Sequence, residues 1–338
     1  MESRLYLFDD DVARRWAPFT LTRPAGELLF GCLTLRERAE TVLGLSCDGH
    51  LSRHALEGFD EPGSPPVVAH GEVERERRRI ILLSRAALAF GDIPQVAGPA
   101  RLTMDGRCVG WVVPPGAPPP PELWIREPSS AVEDGDDVAV EGRVLEGPWS
   151  LVADNDERVT RDIEHLWLDD HEPDGVVRVG SAKLSMAADA EIEPGVIVDT
   201  RQGPVRLGPG VRVFAPARLT GPLWVGAGSS ILGGLVGRSS VGPVCKVRGE
   251  VSASILLGFA NKAHDGHLGH AVLGRWVNLG AGTINSDLKN DYGTVRVWTP
   301  SGQVDTGLMK VGCFLGDHVK TGIGTLLNTG AVVGAGSN

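Results

Sequence analysis

The chain has no excess of positive charge. Its 338 residues include 33 lysines and arginines against 43 aspartates and glutamates, which gives a formal net charge of −10. Nucleic acids and anionic membranes both attract proteins through basic surfaces. The charge balance therefore argues against either of them as a partner of this protein.

Cysteines are few, and their spacing suggests no pairs. Their number is odd and the sequence holds no CxxC motif; they are Cys32, Cys47, Cys108, Cys245 and Cys313. This pattern argues against a disulfide framework and against a zinc knuckle. A reducing compartment is the simplest setting for such cysteines, so we expect a cytoplasmic protein.

Long apolar segments are also missing. The N-terminal stretch MESRLYLFDDDVARR has no apolar core of the kind found in signal peptides. No run in the sequence approaches the eighteen apolar residues that a membrane-spanning helix needs. The sequence therefore predicts neither a secretory leader nor a membrane span.

Glycine, by contrast, is abundant, with 45 residues, and late in the chain it accompanies a six-residue period. Aliphatic residues recur at sixth positions, and in places a glycine follows them; these positions are Leu207, Val213, Leu219, Val225 and Ile231, then Leu273-Gly274, Leu279-Gly280, Leu315-Gly316 and Val333-Gly334. Such a period is typical of a parallel β-helix in which three hexapeptides form one coil. The aliphatic residue points inward, and the glycine lies at a corner where φ is often positive.

This period predicts a left-handed parallel β-helix over residues 176–338. Left-handed coils of this kind are an exception to the right-handed crossover rule. The sequence ends at Gly336-Ser337-Asn338, in the middle of a coil, and the open edge of a β-helix needs cover. We therefore expect either a cap or further coils at this edge.

The first 147 residues predict a different architecture, an α/β domain. Apolar segments at 5–8 and 79–83 are predicted strands, and 34–43 has the spacing of a helix. Thr34 and Glu37 form the pattern of a capping box at its start. Beyond this domain we predict a linker at 148–175 that contains one helix, at about 150–168.

A segment near the N-terminus resembles the sugar-1-phosphate nucleotidyltransferases, whose N-domain is Rossmann-like. The residues that fall on that family's motif are Arg15, Pro18, Thr20, Pro24, Leu28 and Leu29. The run Thr20-Leu21-Thr22-Arg23-Pro24-Ala25-Gly26-Glu27-Leu28, with Pro148-Trp149, is similar to a short bacterial group of bifunctional uridylyltransferase/acetyltransferases. The resemblance implies a nucleotidyltransferase-like domain at 1–147 in which Arg15 and Arg23 bind substrate.

The same segment departs from the family at its phosphate-binding loop. Where the family has glycines, this chain has Asp9-Asp10-Asp11, and three carboxylates repel phosphate unless a metal ion intervenes. We therefore predict that nucleotidyl transfer by this domain is reduced or absent. Asp92, in Gly91-Asp92-Ile93-Pro94, echoes the family's ligand for Mg²⁺, the implied cofactor if the domain is active; the alternative is a polar turn residue.

A second motif is similar to the acetyltransferase half of the bifunctional glucosamine-1-phosphate acetyltransferase/uridylyltransferase. It runs from Asn261 through Gly266-His267 to Gly280-Ala281-Gly282-Thr283. The resemblance implies that His267 is the general base and that Lys262, His270 and Asn285 contact a sugar phosphate. It also implies that acetyl-CoA, or another acyl-CoA, contacts Ala281, Gly282, Thr283 and Lys310.

Elementary chemistry is consistent with a histidine base. An amine or hydroxyl that attacks a thioester needs a base with a pKa near 7, which histidine supplies. Two alternatives stay open for His264, His267 and His270, which recur at three-residue steps. They could bind zinc between subunits, as in the γ-class carbonic anhydrases, or be loop residues on an inactive scaffold.

Together these patterns predict a transferase of sugar-nucleotide biosynthesis that serves cell-envelope polysaccharide precursors. The first hypothesis is acetyl transfer to an amino-sugar 1-phosphate by the β-helix of a homotrimer. One alternative is a non-catalytic scaffold that binds sugar nucleotides. Another is an active nucleotidyltransferase whose β-helix only forms oligomers.

Overall fold

The computed structural model describes residues 3–91, 96, 98–131, 136–167 and 175–338. The chain forms two compact units. Unit 1 contains Met1–Trp16, Thr20–Leu28 and Leu33–Gly147, and unit 2 contains Ala17–Phe19, Leu29–Cys32 and Pro148–Asn338. The helical segment that follows Gly147, together with two short N-terminal segments, thus groups with the solenoid.

Unit 1 is an α/β domain built on a six-stranded sheet. In order across the sheet, the strands are Cys47–Leu51, Arg4–Phe8, Arg79–Leu83, Arg107–Val113, Ala100–Met104 and Asp136–Ala139. The first three strands are parallel. Ala86–Leu88 and Gly142–Val144 form a separate, antiparallel two-stranded sheet. Both strands predicted in this domain are confirmed. The carboxyl ends of the parallel strands meet at one edge, where ligands of open α/β sheets bind.

The main helix of unit 1, Leu35–Leu43, begins as the sequence predicts. Thr34 Oγ1 accepts the N–H of Glu37 at 3.1 Å, and the Glu37 carboxylate accepts the N–H of Thr34 at 2.8 Å. This capping box satisfies two helix donors. The other helical turns of the N-terminal region are short: Ala13–Arg15, Phe19–Leu21, Ala25–Glu27, His54–Leu56, His70–Glu72, Glu122–Arg126 and Pro128–Ser130.

Unit 2 contains a parallel β-solenoid of about nine turns, consistent with the predicted left-handed β-helix. Each strand pairs with a strand one coil away, so that Val205 lies beside Leu223, 18 residues later. The solenoid strands are Val177–Val179, Leu184–Met186, Glu191–Ile192, Ile197–Asp199, Val205–Leu207, Arg212–Val213, Ala217–Val225, Ser230–Val241, Lys246–Ser252, Ile255–Leu256, Asn261–Lys262, His267–Gly269, Val272–Leu273, Ile284–Asn285, Phe314–Leu315, Leu326–Leu327 and Val332–Val333.

The aliphatic positions of the six-residue period form the core of the solenoid. Leu207, Val213, Leu219, Val225 and Ile231 are each at most 1% exposed. Full burial of such a side chain stabilises a fold by about 1.5–3 kcal/mol, an upper bound because unfolded chains are themselves compact. The predicted inward column is therefore confirmed.

An insertion interrupts the regular coil step. Leu273 pairs with Leu315, 42 residues later, because the coil between them contains inserted residues. The inserted segment carries an antiparallel hairpin of Arg296–Thr299 and Gly302–Asp305. This segment also carries the charged residues that approach the predicted site.

The single helix predicted at 150–168 is wrong, because the structure has two helices, Pro148–Ala153 and Asn155–Leu166. Asp154 separates them with φ −110° and ψ 5°. The break aims the buried Asn155 side chain at the solenoid, where it accepts the hydroxyl of Ser240 at 3.1 Å. None of the described helices is long and apolar enough to cross a membrane.

Candidate active site

One outer face of the solenoid carries the predicted base. The strand His267–Gly269 runs parallel to Lys246–Ser252 of the preceding coil, and their register pairs His267 with Glu250. Side chains alternate between the two sides of a strand, and the next residue, Leu268, is buried in the core. His267 and Glu250 therefore point outward together, on adjacent coils.

His267 lies between two carboxylates. Its Nδ1 is 3.3 Å from Oε1 of Glu250, and its Nε2 is 3.9 Å from Oδ2 of Asp287. The side chain is 30% exposed, so solutes can reach it. A proton on Nδ1 that is donated to Glu250 leaves on Nε2 the lone pair that a general base needs.

Asp287 links His267 to a second histidine. Its Oδ2 is 2.7 Å from Nδ1 of His270. This hydrogen bond lowers the pKa of Asp287 against the opposing effect of burial, and the charges of His267 and Lys310 act in the same direction as the bond. Asp287 is therefore an ionised carboxylate at neutral pH, and it faces the base.

Glycine at position 269 lets these side chains pack directly against the backbone. A Cβ there would lie 2.5 Å from Nε2 of His267 and 2.5 Å from Oδ2 of Asp287. These distances are far inside van der Waals contact, so any side chain would displace its neighbours. The Nε2 of His267 and the Oδ2 of Asp287 thus lie directly over the Gly269 backbone, and we refer to the space between these two atoms as the gap.

Asn285, predicted to contact substrate, is buried beneath the same gap. Its Oδ1 accepts the N–H of Gly269 at 2.8 Å, and its Nδ2 donates to the Gly269 carbonyl at 2.9 Å. Nδ2 also donates to the carbonyl of Ser286 at 3.2 Å. These bonds hold the Gly269 backbone in place, and direct contact with substrate stays a prediction.

Lys262 points into the solenoid instead of toward the gap. It is 1% exposed, and its Nζ donates to the carbonyls of Arg248, at 3.2 Å, and of His264. Burial lowers its pKa to about 8, while the nearby Asp265 opposes that shift. Backbone carbonyls already bind the Lys262 ammonium. Its direct contact with a substrate phosphate stays a prediction.

The segment predicted to contact acyl-CoA, residues 281–283, lies on the coil that follows the one carrying Asp265, just before His267. The N–H of Gly282 donates to the carbonyl of Asp265 at 3.2 Å. Thr283 is buried and its hydroxyl lies 2.7 Å from that of Thr321. Lys310 is exposed, and the roles predicted for Ala281 to Thr283 and for Lys310 stay predictions.

The zinc hypothesis has little to build on in the described part of the chain. There, no group of three or more histidine, cysteine, aspartate and glutamate side chains is arranged to hold a metal ion. His264 is exposed, and its carbonyl accepts a hydrogen bond from Lys262. His267 and His270 share Asp287 instead of a third histidine or cysteine.

Sequence reasoning missed two site residues, Glu250 and Asp287. Glu250 precedes His267 by 17 residues, and Asp287 follows His270 by 17. Each therefore lies one coil step from the histidine it contacts. The coil period was the signal that could have found them, because it brings residues one step apart into register.

In unit 1, the acidic run Asp9-Asp10-Asp11 follows the first strand, as aligned from the sequence. Asp9 is buried and accepts the hydroxyls of Ser52 and Ser84, each at 2.5 Å. Both serines lie just past the ends of the neighbouring parallel strands. Asp9 therefore joins three strand ends and does not project into solvent.

The next two aspartates pair with arginines. Arg85 Nη2 donates to Oδ2 of Asp10 at 2.7 Å, and both side chains are buried. Arg126 donates to both carboxylate oxygens of Asp11, at 2.9 and 3.1 Å, and holds its pKa below the usual range. The premise that these carboxylates repel phosphate is corrected here, because neighbouring side chains neutralise or bind all three.

The two arginines predicted to bind substrate have different surroundings. Arg15 is 58% exposed, so its guanidinium is accessible. Its contact with Asp11 is long, at 4.0 Å. Arg23 is 1% exposed and donates to both oxygens of Glu61, at 2.8 and 2.9 Å. Arg23 thus stabilises unit 1, and a substrate contact stays a prediction for both residues.

An arginine-rich cleft of about 630 Å³ lies at this edge of the sheet. Its charged lining residues are Arg15, Arg85, Arg101, Arg107 and Arg126, with Asp10, Asp11 and Glu127. Asp10 and Asp11 are engaged by arginines, a donor set that does not fit a resident magnesium ion. Asp92, the predicted ligand, lies outside the described residues.

Comparison with known proteins gives one family match. Residues 5–170 match the family model described as "Sugar nucleotidyl transferase". This confirms the resemblance of the N-terminal region to sugar nucleotidyltransferases.

Curated relatives match over shorter stretches. A "Bifunctional sugar-1-phosphate nucleotidylyltransferase/acetyltransferase" of Sulfurisphaera tokodaii is 34% identical over 86 residues, which are 25% of this chain and 21% of the relative. The "Bifunctional protein GlmU" of Methanocaldococcus jannaschii is 35% identical over 86 residues, again 25% and 21%. That of Methanococcus maripaludis is 32% identical over 88 residues, 26% and 21%. The chain thus spans about a fifth of the length of the curated relatives it matches.

Proposed function

We propose that this chain, which carries a sugar nucleotidyl transferase domain over residues 5–170, transfers an acyl group from acyl-CoA to the amine of an amino-sugar 1-phosphate. The transfer takes place on the solenoid, as one step of sugar-nucleotide biosynthesis. The observation that carries the proposal is the arrangement of His267 between Glu250 and Asp287, beside the gap over Gly269. The bifunctional names of the relatives point the same way.

His267 acts as the general base. Glu250, 3.3 Å from Nδ1, favours a proton on that nitrogen, which leaves Nε2 to take a proton from the amine as the nitrogen attacks the thioester carbonyl. The tetrahedral intermediate then collapses, and its carbon–sulfur bond breaks. The departing thiolate takes the proton from His267, so that free coenzyme A and an amide are the products.

Asp287 supports the charge that develops at the base. Its carboxylate is 3.9 Å from Nε2 of His267 and is held by His270. A carboxylate at this distance favours the protonated imidazole that forms during attack.

The active assembly is a homotrimer. Flat, repeating prism faces favour closed threefold symmetry. Exposed apolar residues support a subunit contact on the face of the base: Leu235 is in register with Glu250, and Ile284 is in register with Leu326. Light scattering at micromolar concentration tests this, and a monomer would contradict it.

A second candidate function is nucleotidyl transfer in unit 1. It is favoured by the pairing of Asp9, Asp10 and Asp11 with serines and arginines, which removes the repulsion expected from the sequence. Calorimetry with UTP and Mg²⁺ separates the two possibilities for this unit. Tight, magnesium-dependent binding supports an active unit 1, and weak binding supports the reduced domain.

Coenzyme A release from acetyl-CoA tests the proposed acyl transfer. The full chain is incubated with glucosamine 1-phosphate, with glucose 1-phosphate as the matched acceptor that has a hydroxyl in place of the amine. We expect thiol release and an N-acetylated product with the amino sugar only. Failure to transfer to any amino-sugar phosphate would contradict the proposal and favour the non-catalytic scaffold.

A further inference from the structure

Lys262 occupies a position that belongs to the apolar core. Parallel register aligns one inward residue from each of six successive coils: Ile192, Val213, Ile231, Val247, Lys262 and Leu279. Five of the six are aliphatic. The lysine is nevertheless 1% exposed, so a cationic side chain fills a place that aliphatic residues fill in the neighbouring coils.

Such a residue is unfavourable for the fold alone. Transfer of an ammonium group from water into an apolar interior is strongly disfavoured unless hydrogen bonds compensate. Burial accordingly lowers the pKa of Lys262 to about 8, and the charge of Asp265 opposes that shift. Val247 and Leu279 fill the flanking places without this penalty, so packing does not require a lysine here.

The compensating hydrogen bonds connect the two segments that carry the candidate site. Lys262 Nζ donates to the carbonyl of Arg248, on the preceding coil, and to the carbonyl of His264. Arg248 lies two residues before Glu250, and His264 lies three residues before His267. The Lys262 ammonium therefore binds the backbone two or three residues before each member of the Glu250–His267 contact.

We propose that Lys262 is a positioning residue, whose buried ammonium clamps two adjacent coils so that His267 is held against Glu250. The clamp does not touch the gap over Gly269, so its effect on catalysis passes through His267. The effect on turnover rests on the acyl transfer proposed above. The effect on backbone order at 263–269 does not.

An exposed ion pair joins the same two segments and supplies a matched control. Arg248 Nε is 3.0 Å from Oδ1 of Asp265, and both side chains are largely exposed. Exposed pairs of this kind contribute little to stability. Asp265→Asn therefore removes an outer link between these coils and the nearby charge, and it keeps both hydrogen bonds of the Lys262 ammonium to backbone carbonyls.

The test compares Lys262→Met with Asp265→Asn and the unchanged chain. Methionine nearly matches the lysine in length and is apolar. We expect Lys262→Met to melt at the same temperature or higher, because a buried charge is replaced by an apolar side chain. Amide exchange in peptides covering 263–269 should become at least about tenfold faster, since a hydrogen-bonded clamp is lost.

The kinetic readout separates positioning from a purely structural role. In Lys262→Met, kcat should fall by about tenfold or more, because small displacements of a catalytic group are costly, with KM for the acyl donor unchanged. Asp265→Asn should match the unchanged chain in all three measurements. Loss of folding in Lys262→Met, or exchange at 263–269 equal to that of the unchanged chain, would overturn the proposal.

These outcomes also separate this proposal from the proposed function. If Lys262→Met loosens 263–269 while no variant transfers an acyl group, the clamp stands and acyl transfer fails. If the unchanged chain transfers and Lys262→Met transfers equally well with a loosened segment, acyl transfer stands and the positioning role fails.

Discussion

The two units contain carboxylates in similar numbers near their candidate sites but use them differently. In unit 1, Asp10 and Asp11 pair with arginines that fully engage them. In unit 2, Glu250 and Asp287 approach His267 at 3.3 and 3.9 Å. Arginines form ion pairs with Asp10 and Asp11 of unit 1. In unit 2, a histidine lies between the two carboxylates.

This difference indicates what each group contributes. An arginine stays charged throughout the physiological range, so its ion pairs stabilise one conformation. A histidine exchanges its proton near neutral pH, so carboxylates around it direct where the proton goes. The acidic groups of unit 1 therefore mainly maintain the fold, and those of unit 2 are suited to proton transfer.

Removal of the base should give the largest effect. We expect His267→Ala to lower the turnover of acyl transfer by on the order of 10² to 10⁴, the usual contribution of a positioned base. The melting temperature should not change, because the side chain is outside the core. His264→Ala is the control and should keep full activity; equal losses in both variants would contradict the assignment.

Breaking a buried ion pair in unit 1 should have the next largest effect, on stability. Asp10→Asn leaves Arg85 buried without its counter-charge, which costs about 3–5 kcal/mol in typical proteins. Denaturant unfolding measures the loss. Asp137→Asn, at an exposed pair with Arg101, is the control and should leave the midpoint unchanged. A small loss in Asp10→Asn would mean that this charge is not structural.

Acid should destabilise unit 1 within a defined pH window. Arg36, at 2.6 Å, and His50, at 2.8 Å, lower the pKa of the buried Glu27 to about 2 despite the opposing effect of burial. A carboxyl with a depressed pKa contributes stability that is complete above its unfolded value, near 4.5. That contribution, on the order of 3 kcal/mol, is lost as the pH falls toward 2.

Denaturant unfolding at several pH values between about 5 and about 2 measures this pH dependence. Glu27→Gln is the matched variant, since it keeps the shape and cannot ionise. It should be less stable at neutral pH and should show a flatter pH dependence in this window. Equal pH dependence in both proteins would contradict the assigned pKa.

Filling the gap should have the smallest of these effects, and it should fall on activity. Gly269→Ala brings a Cβ within 2.5 Å of His267 and Asp287, so we expect turnover to fall by roughly 10²-fold through misplacement of the base. Gly322→Ala is the control, because its Cβ would meet only Thr325, at 3.9 Å. Unchanged activity in Gly269→Ala would show that the gap is not the reaction space.

Local and periodic patterns were enough to predict much of the fold. The six-residue period identified the inward column that includes Leu207 and Val213, because each coil repeats the same environment. The capping box of Thr34 and Glu37 was readable because its partners are three residues apart. The helix break at Asp154 was not, because it depends on a contact between Asn155 and Ser240, 85 residues later.

The candidate site was predicted only in part, for a similar reason. His267 was identified by a resemblance, but Glu250 and Asp287 are recognisable only once the coil register is known. The pairing of Asp10 with Arg85 joins residues 75 positions apart, so the run of three aspartates looked repulsive in the sequence. Lys262 was predicted as a phosphate ligand through the resemblance alone, and its burial was not part of that prediction.

Chemical rescue of His267→Ala is the most direct measurement of the central claim, that the His267 imidazole removes the proton during acyl transfer. The position is partly exposed, so imidazole from solution can enter the space left by the side chain. We predict that added imidazole raises the turnover of His267→Ala in proportion to its concentration and leaves the unchanged chain unaffected. Full turnover of His267→Ala without imidazole, with loss in His270→Ala instead, would contradict the account.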